Sequence, residues 1–253
     1  GVNLIAHRTN KTLTMELDLC VKYKVPLIIT SLGAVPELVE TVHGYGGIVF
    51  HDVISVRHAR KAAAAGVDGL IAVVAGAGGH TGLANPFALV NEIRSFFDGS
   101  VLLSGALSTG SDIAAAQMMG ADLAYFGTRF IATKEAPVHQ NVKEALVGAS
   151  ELDTTLIMRP LRNTERVLKN DAVTRIQEKE KELGENIQIN DIMDEVAGVY
   201  PKIMSEGDMD AGAWSCGMVA GLIHDIPSCE ELVGGMVREA EEIIKSRLQN
   251  FAA

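Results

Sequence analysis

Seven residues, Gly76 to Gly82 (GAGGHTG), form the part of the sequence with the clearest capacity for chemistry. They combine four glycines with one ionisable side chain, that of His80. A backbone with few side chains lets another molecule approach closely, and glycine tolerates the positive φ values that such a path often needs. An imidazole changes charge near neutral pH, so a histidine here can act as a neutral base. The alternative is a tight turn that carries an incidental surface histidine.

Two further segments offer backbone N–H groups directly after predicted strands. In a (β/α)8 barrel, the loops after the last two strands are the usual phosphate-binding place. A helix predicted from residue 111 onward would add the positive end of its dipole to the first of these loops. A single glycine in such a loop is explained equally well by a tight turn, but glycines in both loops favour a phosphate site. The residues concerned are Ser104, Gly105, Ala106, Gly127 and Thr128.

The elements that must position these residues alternate regularly between strand and helix. Residues 66–75, just before the glycine segment, are apolar and β-branched at their centre and predict a strand buried on both faces. Short connections between strands and helices imply parallel strands with right-handed crossovers. The predicted strands are 1–6, 26–30, 47–50, 66–75, 101–103 and 123–126, and the predicted helices are 13–23, 36–43, 55–65, 86–97 and 111–119.

Six parallel strands fit either an open doubly wound sheet or a closed TIM (β/α)8 barrel. We favour the barrel because no GxGxxG follows the first strand and because the repeat is even, at about 20 to 25 residues. We expect six of the eight strands here, with the first two supplied by an N-terminal segment outside this sequence. Catalytic groups of barrels lie at the carboxyl ends of strands, which places Asn3, Ser31, His51 and Asp52 on the same rim.

The alternation stops after residue 130, and we predict three domains in all. The barrel takes residues 1–134, a small helical subdomain takes 135–206, and a return segment with a C-terminal helix takes 207–253. Helices are predicted over 135–148, 165–183 and 192–205. Ser228 and Glu231 form a capping box that opens the last helix, predicted to reach Leu248.

Composition narrows the classes of function. A net charge of −10 and an isoelectric point near 5.2 argue against nucleic-acid binding. The sequence has no 18-residue apolar span, signal peptide or lipidation motif, so we expect no membrane partner and a cytoplasmic location. The three cysteines lack CxxC spacing, and neither HxxxH nor HExxH occurs, so we expect no metal.

Several of these segments together resemble the nitronate monooxygenase family, formerly called 2-nitropropane dioxygenases. Relatives of that family include the flavin-dependent enoyl-acyl-carrier-protein reductases. The resemblance covers nearly the whole chain, and its most specific feature is Gly-Gly-His-x-Gly followed about 45 residues later by Gly-Thr-Arg-Phe. The matching segments are 1–4 (GVNL), 29–33 (ITSLG), 77–82 (AGGHTG), 104–106 (SGA) and 126–130 (FGTRF).

The resemblance implies an FMN-binding barrel with an added helical domain. In family terms, the FMN phosphate is held by backbone groups of the two loops at 104–106 and 127–128. Gly78 and Gly79 approach the flavin or its ribityl chain, Asn3 hydrogen-bonds the isoalloxazine ring, and His80 is the catalytic histidine. The implied reaction is oxidation of nitronates or nitroalkanes by O2 to a carbonyl compound and nitrite.

This sequence departs from the family pattern at three places. Asp52 stands where many members carry a lysine, and Met218 stands where relatives often carry a glutamine. The family's first-strand loop, which packs a Met and a Gly against the flavin, is not in this sequence. Two alternatives therefore stay open: an NAD(P)H-dependent reductase of enoyl thioesters, and a flavin-binding protein that has lost catalysis. The sequence also leaves open whether the chain forms a homodimer.

Overall fold

The computed structural model describes residues 1–7 and 10–247, and nine strands within these ranges form two sheets. The larger sheet has the strand order β1-β2-β3-β4-β6-β7, and the smaller one has the order β5-β9-β8. The strands are β1 (Val2–Ile5), β2 (Leu27–Ser31), β3 (Ile48–Val53), β4 (Gly69–Val73), β5 (Gly79–His80), β6 (Ser100–Ser104), β7 (Leu123–Tyr125), β8 (Thr154–Ile157) and β9 (Glu165–Leu168).

Helices separate the strands of the larger sheet, as the sequence predicts. Successive pairs from β1 to β4 are parallel, which confirms the predicted crossover topology and the α/β fold. The helices are α1 (Leu13–Lys22), α2 (Pro36–His43), α3 (Val56–Ala64), α4 (Pro86–Arg94), α5 (Gly110–Met118), α6 (Thr128–Ile131), α7 (Gln140–Val147), α8 (Asp171–Leu183), α9 (Met193–Val196), α10 (Tyr200–Met204) and α11 (Cys229–Ser246).

The two faces of strands β1 to β3 differ in burial. Successive side chains of a strand point to opposite faces. One face carries Leu4, Ile28, Thr30, Val49, His51 and Val53, and all of these side chains are buried. Helix α1 contacts β1, and helices α2 and α3 contact β3. The other face carries Asn3, Ser31 and Asp52, which are exposed or half-buried, so the polar side chains of these strands share one face.

Strand β3 is longer than its predicted span of 47–50. It continues to Val53, so His51 and Asp52 lie inside the strand and not in the loop after it. His51 pairs with Thr30 of β2 in the register, and Asp52 pairs with Ile71 of β4. The strand continues because the alternation of buried Val49, His51 and Val53 extends through the polar pair.

Tertiary contacts divide the chain into two units. The first unit comprises Gly1–Val74, Leu83–Leu103 and Ala116–Ala124, and it contains nearly all of the larger sheet. The second comprises Ala75–Gly82, Ser104–Ala115 and the chain from Tyr125 onward. Its core includes one apolar cluster around Trp214, Ile203 and Leu146 and another around Ile157, Ile176 and Ile192. The predicted domain boundaries at residues 134 and 206 stay a prediction.

The predicted helix at 165–183 is wrong in its first part. Residues Glu165–Leu168 form β9, which pairs with β8 in an antiparallel hairpin, and the helix begins only at Asp171. The Asn170 side chain caps that helix by accepting a hydrogen bond from the Val173 N–H at 2.8 Å. Residues 135–206 are therefore not purely helical, because the pairing of β9 with β8 replaces the first turn of the predicted helix.

The predicted helix at 192–205 is also interrupted. The structure has two short helices, α9 and α10, separated by residues 197–199. Gly198 in this break has a φ of +69°, a conformation that ends a right-handed helix.

The C-terminal helix begins as predicted. The Ser228 hydroxyl and the Glu231 carboxylate form the reciprocal capping box at the start of α11. Its predicted end at Leu248 lies outside the described residues. In the part of the chain that the structure describes, no helix combines the length and the apolar character that a bilayer crossing would require.

Candidate active site

His80 is held in a strand and does not lie in an open loop. Gly79 and His80 form β5, which pairs antiparallel with β9, and Glu165 stands directly opposite His80. Residues directly opposite on neighbouring antiparallel strands have their side chains close together. Glu165 lies on β9, the middle strand of this sheet. Its backbone is therefore held by β5 on one side and by β8 on the other.

The His80 imidazole and the Glu165 carboxylate form a close pair. Nδ1 of His80 lies 3.0 Å from Oε1 of Glu165, and the side chains are 43% and 20% exposed, respectively. Burial raises the pKa of Glu165, while the positive charge of a protonated His80 acts in the opposite direction. When Glu165 is ionised, its carboxylate can only accept, so Nδ1 then carries the proton and Nε2 keeps the lone pair. The pair can therefore take up or hold a proton at Nε2.

Sequence reasoning missed Glu165 as a site residue. The prediction placed it in a solvated helix, and nothing in its own sequence context marks it as a partner of His80. Only the β5–β9 pairing, which joins residues 85 positions apart, brings the two side chains together.

The glycines before His80 pack closely against residues 215–218. A Cβ on Gly78 would lie 2.6 Å from the Gly217 nitrogen, and a Cβ on Gly79 would lie 3.0 Å from the Ser215 hydroxyl oxygen. Gly79 also has a φ of +73°. The protein's own packing thus explains both glycines, independently of any cofactor. The Met218 N–H donates to the Gly76 carbonyl at 3.0 Å, which ties the two segments together.

The two predicted phosphate segments converge on this same packing. A Cβ on Gly76 would lie 3.0 Å from the Cβ of Ala106. On the other side, the Gly217 N–H donates to the Thr128 hydroxyl oxygen at 2.9 Å. Ala106 therefore borders the glycine segment directly, whereas Thr128 borders Gly217, which itself packs against Gly76 and Gly78. All of these residues belong to the second unit.

The backbone at these segments fits an anionic group in some respects. Gly105 and Ala106 have φ values of +130° and +57°. Successive backbone N–H groups in a turn can form concavities that bind anions. A Cβ on Gly127 would meet no atom within 4 Å, so open space lies above this exposed residue. The half-buried Ser104 precedes the turn. The Thr128 oxygen already accepts from Gly217, so the hydroxyl can offer a phosphate only its O–H.

The start of α5 is not available as an anion site, contrary to the sequence-based expectation. The N–H groups of Ser108 and Thr109 donate to Oδ2 of Asp112 at 2.7 and 2.8 Å. The Gly110 N–H donates to Oε2 of Glu239 on α11 at 2.8 Å. Two carboxylates thus already satisfy these groups and offset the helix dipole. A phosphate would therefore have to rely on the turn at 105–106 and on residues 127–128, without the helix dipole.

A cavity of about 580 Å³ lies between the residues after these segments and helix α11. Arg129, which lines this cavity, is buried, and its guanidinium donates to Oδ1 of Asp225 at 2.5 Å and to the Asp225 carbonyl at 3.2 Å. Glu231 and Glu239 also line it. Because carboxylates neutralise the arginine, this cavity does not suit an anionic substrate.

In the first unit, three polar side chains form a hydrogen-bonded chain across neighbouring strands. The Asn3 amide Nδ2 donates to the Ser31 hydroxyl at 3.1 Å, and Ser31 donates to Oδ2 of Asp52 at 2.6 Å. Burial raises the pKa of Asp52, while the Ser31 hydrogen bond lowers it. The neighbouring His51 faces the other side of the sheet, where burial first, and then His58 and Lys61, lower its pKa to about 4.

The structure thus combines a parallel α/β fold with a histidine paired to a half-buried glutamate and with two glycine-containing turns packed near that histidine's segment. The chain belongs to the nitronate monooxygenase family, whose model matches residues 2–239. The family confirms the resemblance read from the sequence. It makes the protein a flavin-dependent oxidoreductase with FMN as its cofactor.

The chain is similar to proteins with three different names. FabK from Thermotoga maritima is 29% identical, with a TM-score of 0.90 over 99% of this chain and 78% of its own. A (3aS,4S,5R,7aS)-5-hydroxy-7a-methyl-1-oxo-octahydro-1H-indene-4-carboxyl-CoA dehydrogenase of Rhodococcus jostii is 26% identical over 95% of this chain and 77% of its own length. A nitronate monooxygenase of Neurospora crassa is 27% identical over 87% of this chain, which spans 61% of that protein.

Proposed function

We propose that the protein oxidises nitronates and nitroalkanes with O2 to a carbonyl compound and nitrite, and that His80 is its catalytic residue. The observation that carries the proposal is the His80–Glu165 pair, which presents a nitrogen base on a strand paired with β9. Family membership supports the flavin chemistry and the small-molecule substrate. When bound, FMN accepts electrons from the substrate.

The residues of the pair divide the work on the proton. The Glu165 carboxylate accepts the Nδ1–H of His80, which fixes the tautomer and leaves Nε2 free to accept a proton. With a nitroalkane, Nε2 removes the proton from the carbon that bears the nitro group. With a nitronate, that proton is already gone, and a protonated His80 would instead hold an anionic oxygen. The neighbouring carboxylate stabilises the imidazolium in both cases.

The cofactor phosphate is assigned to the backbone of Gly105, Ala106, Gly127 and Thr128. The open space above Gly127 and the left-handed turn at 105–106 support this assignment. Ser104, directly before that turn, would contribute its backbone groups to the same phosphate site. Gly78 and Gly79 are assigned to the flavin or its ribityl chain, although their packing against residues 215–217 already accounts for both glycines. Asn3 stays the predicted contact of the ring.

A second candidate is a flavin enzyme that acts on a thioester-linked substrate, including an NAD(P)H-dependent enoyl-thioester reductase. The observation that favours it is the carboxyl-CoA dehydrogenase of Rhodococcus jostii, which matches 95% of this chain. A proton on the carbon next to a thioester carbonyl is acidic for the same reason as one next to a nitro group. The His80–Glu165 pair could remove either of them.

Oxygen uptake by the FMN-loaded protein distinguishes these functions. We expect uptake with both nitroethane and ethyl nitronate, and no bleaching of the flavin by NAD(P)H under anaerobic conditions. Bleaching by NAD(P)H, or by a saturated acyl-CoA, without nitronate turnover would favour the thioester function. A protein that binds FMN but turns over none of these compounds would favour a flavin-binding protein without catalysis.

The His80→Asn variant tests the role of the histidine. We expect kcat/KM to fall by about 10²-fold or more with nitroethane, because proton removal is lost, and by less with ethyl nitronate. His224→Asn is the matched control, since His224 is exposed and lies outside the proposed site. Equal activity of the His80 variant and wild type on both compounds would remove His80 from the mechanism.

A further inference from the structure

Asn3, Ser31 and Asp52 lie on the same face of three neighbouring strands, β1, β2 and β3. Their two hydrogen bonds, 3.1 and 2.6 Å long, join the exposed amide of Asn3 to the half-buried carboxylate of Asp52. The second oxygen of that carboxylate, Oδ1, is buried and has no hydrogen-bond partner among residues 1–7 and 10–247. Packing alone does not require a carboxylate at position 52. The hydrogen-bonded chain that joins Asp52 to Ser31 and Asn3 therefore calls for a functional explanation.

The donors and acceptors of this chain have a fixed direction. An ionised carboxylate only accepts hydrogen bonds, so the single hydroxyl hydrogen of Ser31 is donated to Asp52. The Ser31 oxygen can then only accept from Asn3, and the amide must turn its NH2 group toward Ser31. The amide oxygen, Oδ1 of Asn3, is consequently the end that is presented to a ligand.

We propose that Asp52, acting through Ser31, is a positioning residue that sets the Asn3 amide to accept a hydrogen bond from an N–H of the bound cofactor. The inference rests on the proposed function, because the ligand is the isoalloxazine ring of FMN. In its oxidised form this ring has one N–H, at N3, and otherwise presents hydrogen-bond acceptors. An amide turned the other way would meet N3–H with its own NH2 group.

Neutral substitution at position 52 removes this direction while keeping the shape of the side chain. In Asp52→Asn, the new amide can donate to Ser31, and Ser31 is then free to donate to Asn3. Nothing any longer selects one orientation of the Asn3 amide. In Ser31→Val, the link between residues 3 and 52 is absent, whereas Ser31→Thr keeps the hydroxyl in a side chain of the same size as valine.

The test measures the dissociation constants of FMN and of N3-methyl-FMN, which lacks the N–H, for the wild-type protein and these variants. The preference for FMN is the dissociation constant of N3-methyl-FMN divided by that of FMN. Steric effects of the methyl group are common to all of the proteins, so a change in this ratio between proteins reports on the hydrogen bond to N3–H. We expect Asp52→Asn and Ser31→Val each to lower this preference by about tenfold. Ser31→Thr is expected to stay within about threefold of wild type, and the double variant Asp52→Asn/Ser31→Val to lose no more than either single one.

Asp98→Asn is the control for lost charge, since Asp98 is exposed, and the circular dichroism spectra of the apo proteins identify any variant that does not fold. A preference that is unchanged in both Asp52→Asn and Ser31→Val would overturn the inference, and so would a Ser31→Thr protein that behaves like Ser31→Val. Failure of the wild-type protein to bind FMN would overturn the proposed function itself, which is a different result from unchanged preference in a protein that binds it.

Discussion

At the residue scale, the charge of Glu165 is expected to matter more than its hydrogen bond. Glu165→Gln can still accept from Nδ1 of His80, but it no longer stabilises the imidazolium and can also donate, which permits the wrong tautomer. We expect kcat/KM with nitroethane to fall by about 10²-fold or more. The effect on ethyl nitronate should be smaller, because no proton is removed from carbon.

Glu178→Gln on helix α8 serves as the matched control for Glu165→Gln, since Glu178 is exposed and lies outside the β5–β9–β8 sheet. Steady-state oxygen uptake with both compounds is the measurement. A Glu165→Gln protein with the nitroethane activity of the Glu178→Gln control would show that the carboxylate only holds the strand pair and takes no part in proton transfer.

Gly127 allows the cofactor assignment to be tested apart from folding. Its φ of −117° lies outside the left-handed region that favours glycine, and an added Cβ would meet no atom within 4 Å. Gly127→Ala should therefore lower the free energy of unfolding of the apo protein by less than about 1 kcal/mol. If the phosphate occupies the open space, FMN affinity should fall by at least about tenfold, which is a loss of about 1.4 kcal/mol. Unchanged affinity, measured by flavin fluorescence, would move the phosphate elsewhere.

At the element scale, the contact of α11 with the start of α5 is a packing constraint. A Cβ on Gly110 would lie 2.2 Å from the Met236 carbonyl oxygen and 2.6 Å from the Ala240 nitrogen. These are backbone atoms, so the helix itself would have to move. We expect Gly110→Ala to lower the free energy of unfolding by about 1–3 kcal/mol or more, as overpacking does in other cores. Urea unfolding measures this.

Gly235→Ala on α11 is the control for this packing prediction. Nothing lies within 4 Å of a Cβ there, and Gly235 is inside a helix, where alanine is favoured by up to about 1 kcal/mol. The two glycine-to-alanine changes should thus alter stability in opposite directions. If both proteins unfold at the same urea concentration, the close approach of α5 and α11 is not a constraint in solution.

The sequence predicted elements well where hydrophobic periodicity is local. The helix at Pro36–His43 and the capping box at Ser228 were predicted correctly because the proline and the Ser–Glu spacing determine them within one turn. The hairpin of β8 and β9 was missed, because four-residue strands gain their stability from pairing and carry little pattern of their own. A pairing of β9 with β5 also positions Glu165, so the partner of His80 could not be found by local reasoning, whereas the glycine segment could.

At the scale of the whole molecule, His51 links folding to pH. It is buried, its Nδ1 lies 2.7 Å from the Thr30 hydroxyl, and its pKa is lowered to about 4, chiefly by burial. The unfolded chain binds this proton with an ordinary pKa of about 6.5. The unfolded state therefore takes up a proton first as the pH falls, and stability decreases from pH 6.5 down to about pH 4.

The size of this effect follows from the two pKa values. One pKa unit corresponds to about 1.4 kcal/mol. The loss in free energy of unfolding that is due to His51 should therefore reach about 3 kcal/mol at pH 4 and vanish above pH 7. The measurement is the free energy of unfolding in urea at several pH values for wild type, His51→Gln and the exposed-histidine control His224→Gln. Carboxyl groups titrate equally in all three proteins, so the difference between the curves isolates His51.

We expect the His51→Gln curve to be flatter between pH 6.5 and 4 and the control curve to run parallel to wild type. Parallel curves for all three proteins would mean that His51 becomes protonated in the folded chain as readily as in the unfolded one, and the buried face of the larger sheet would then have to admit water or a counter-charge.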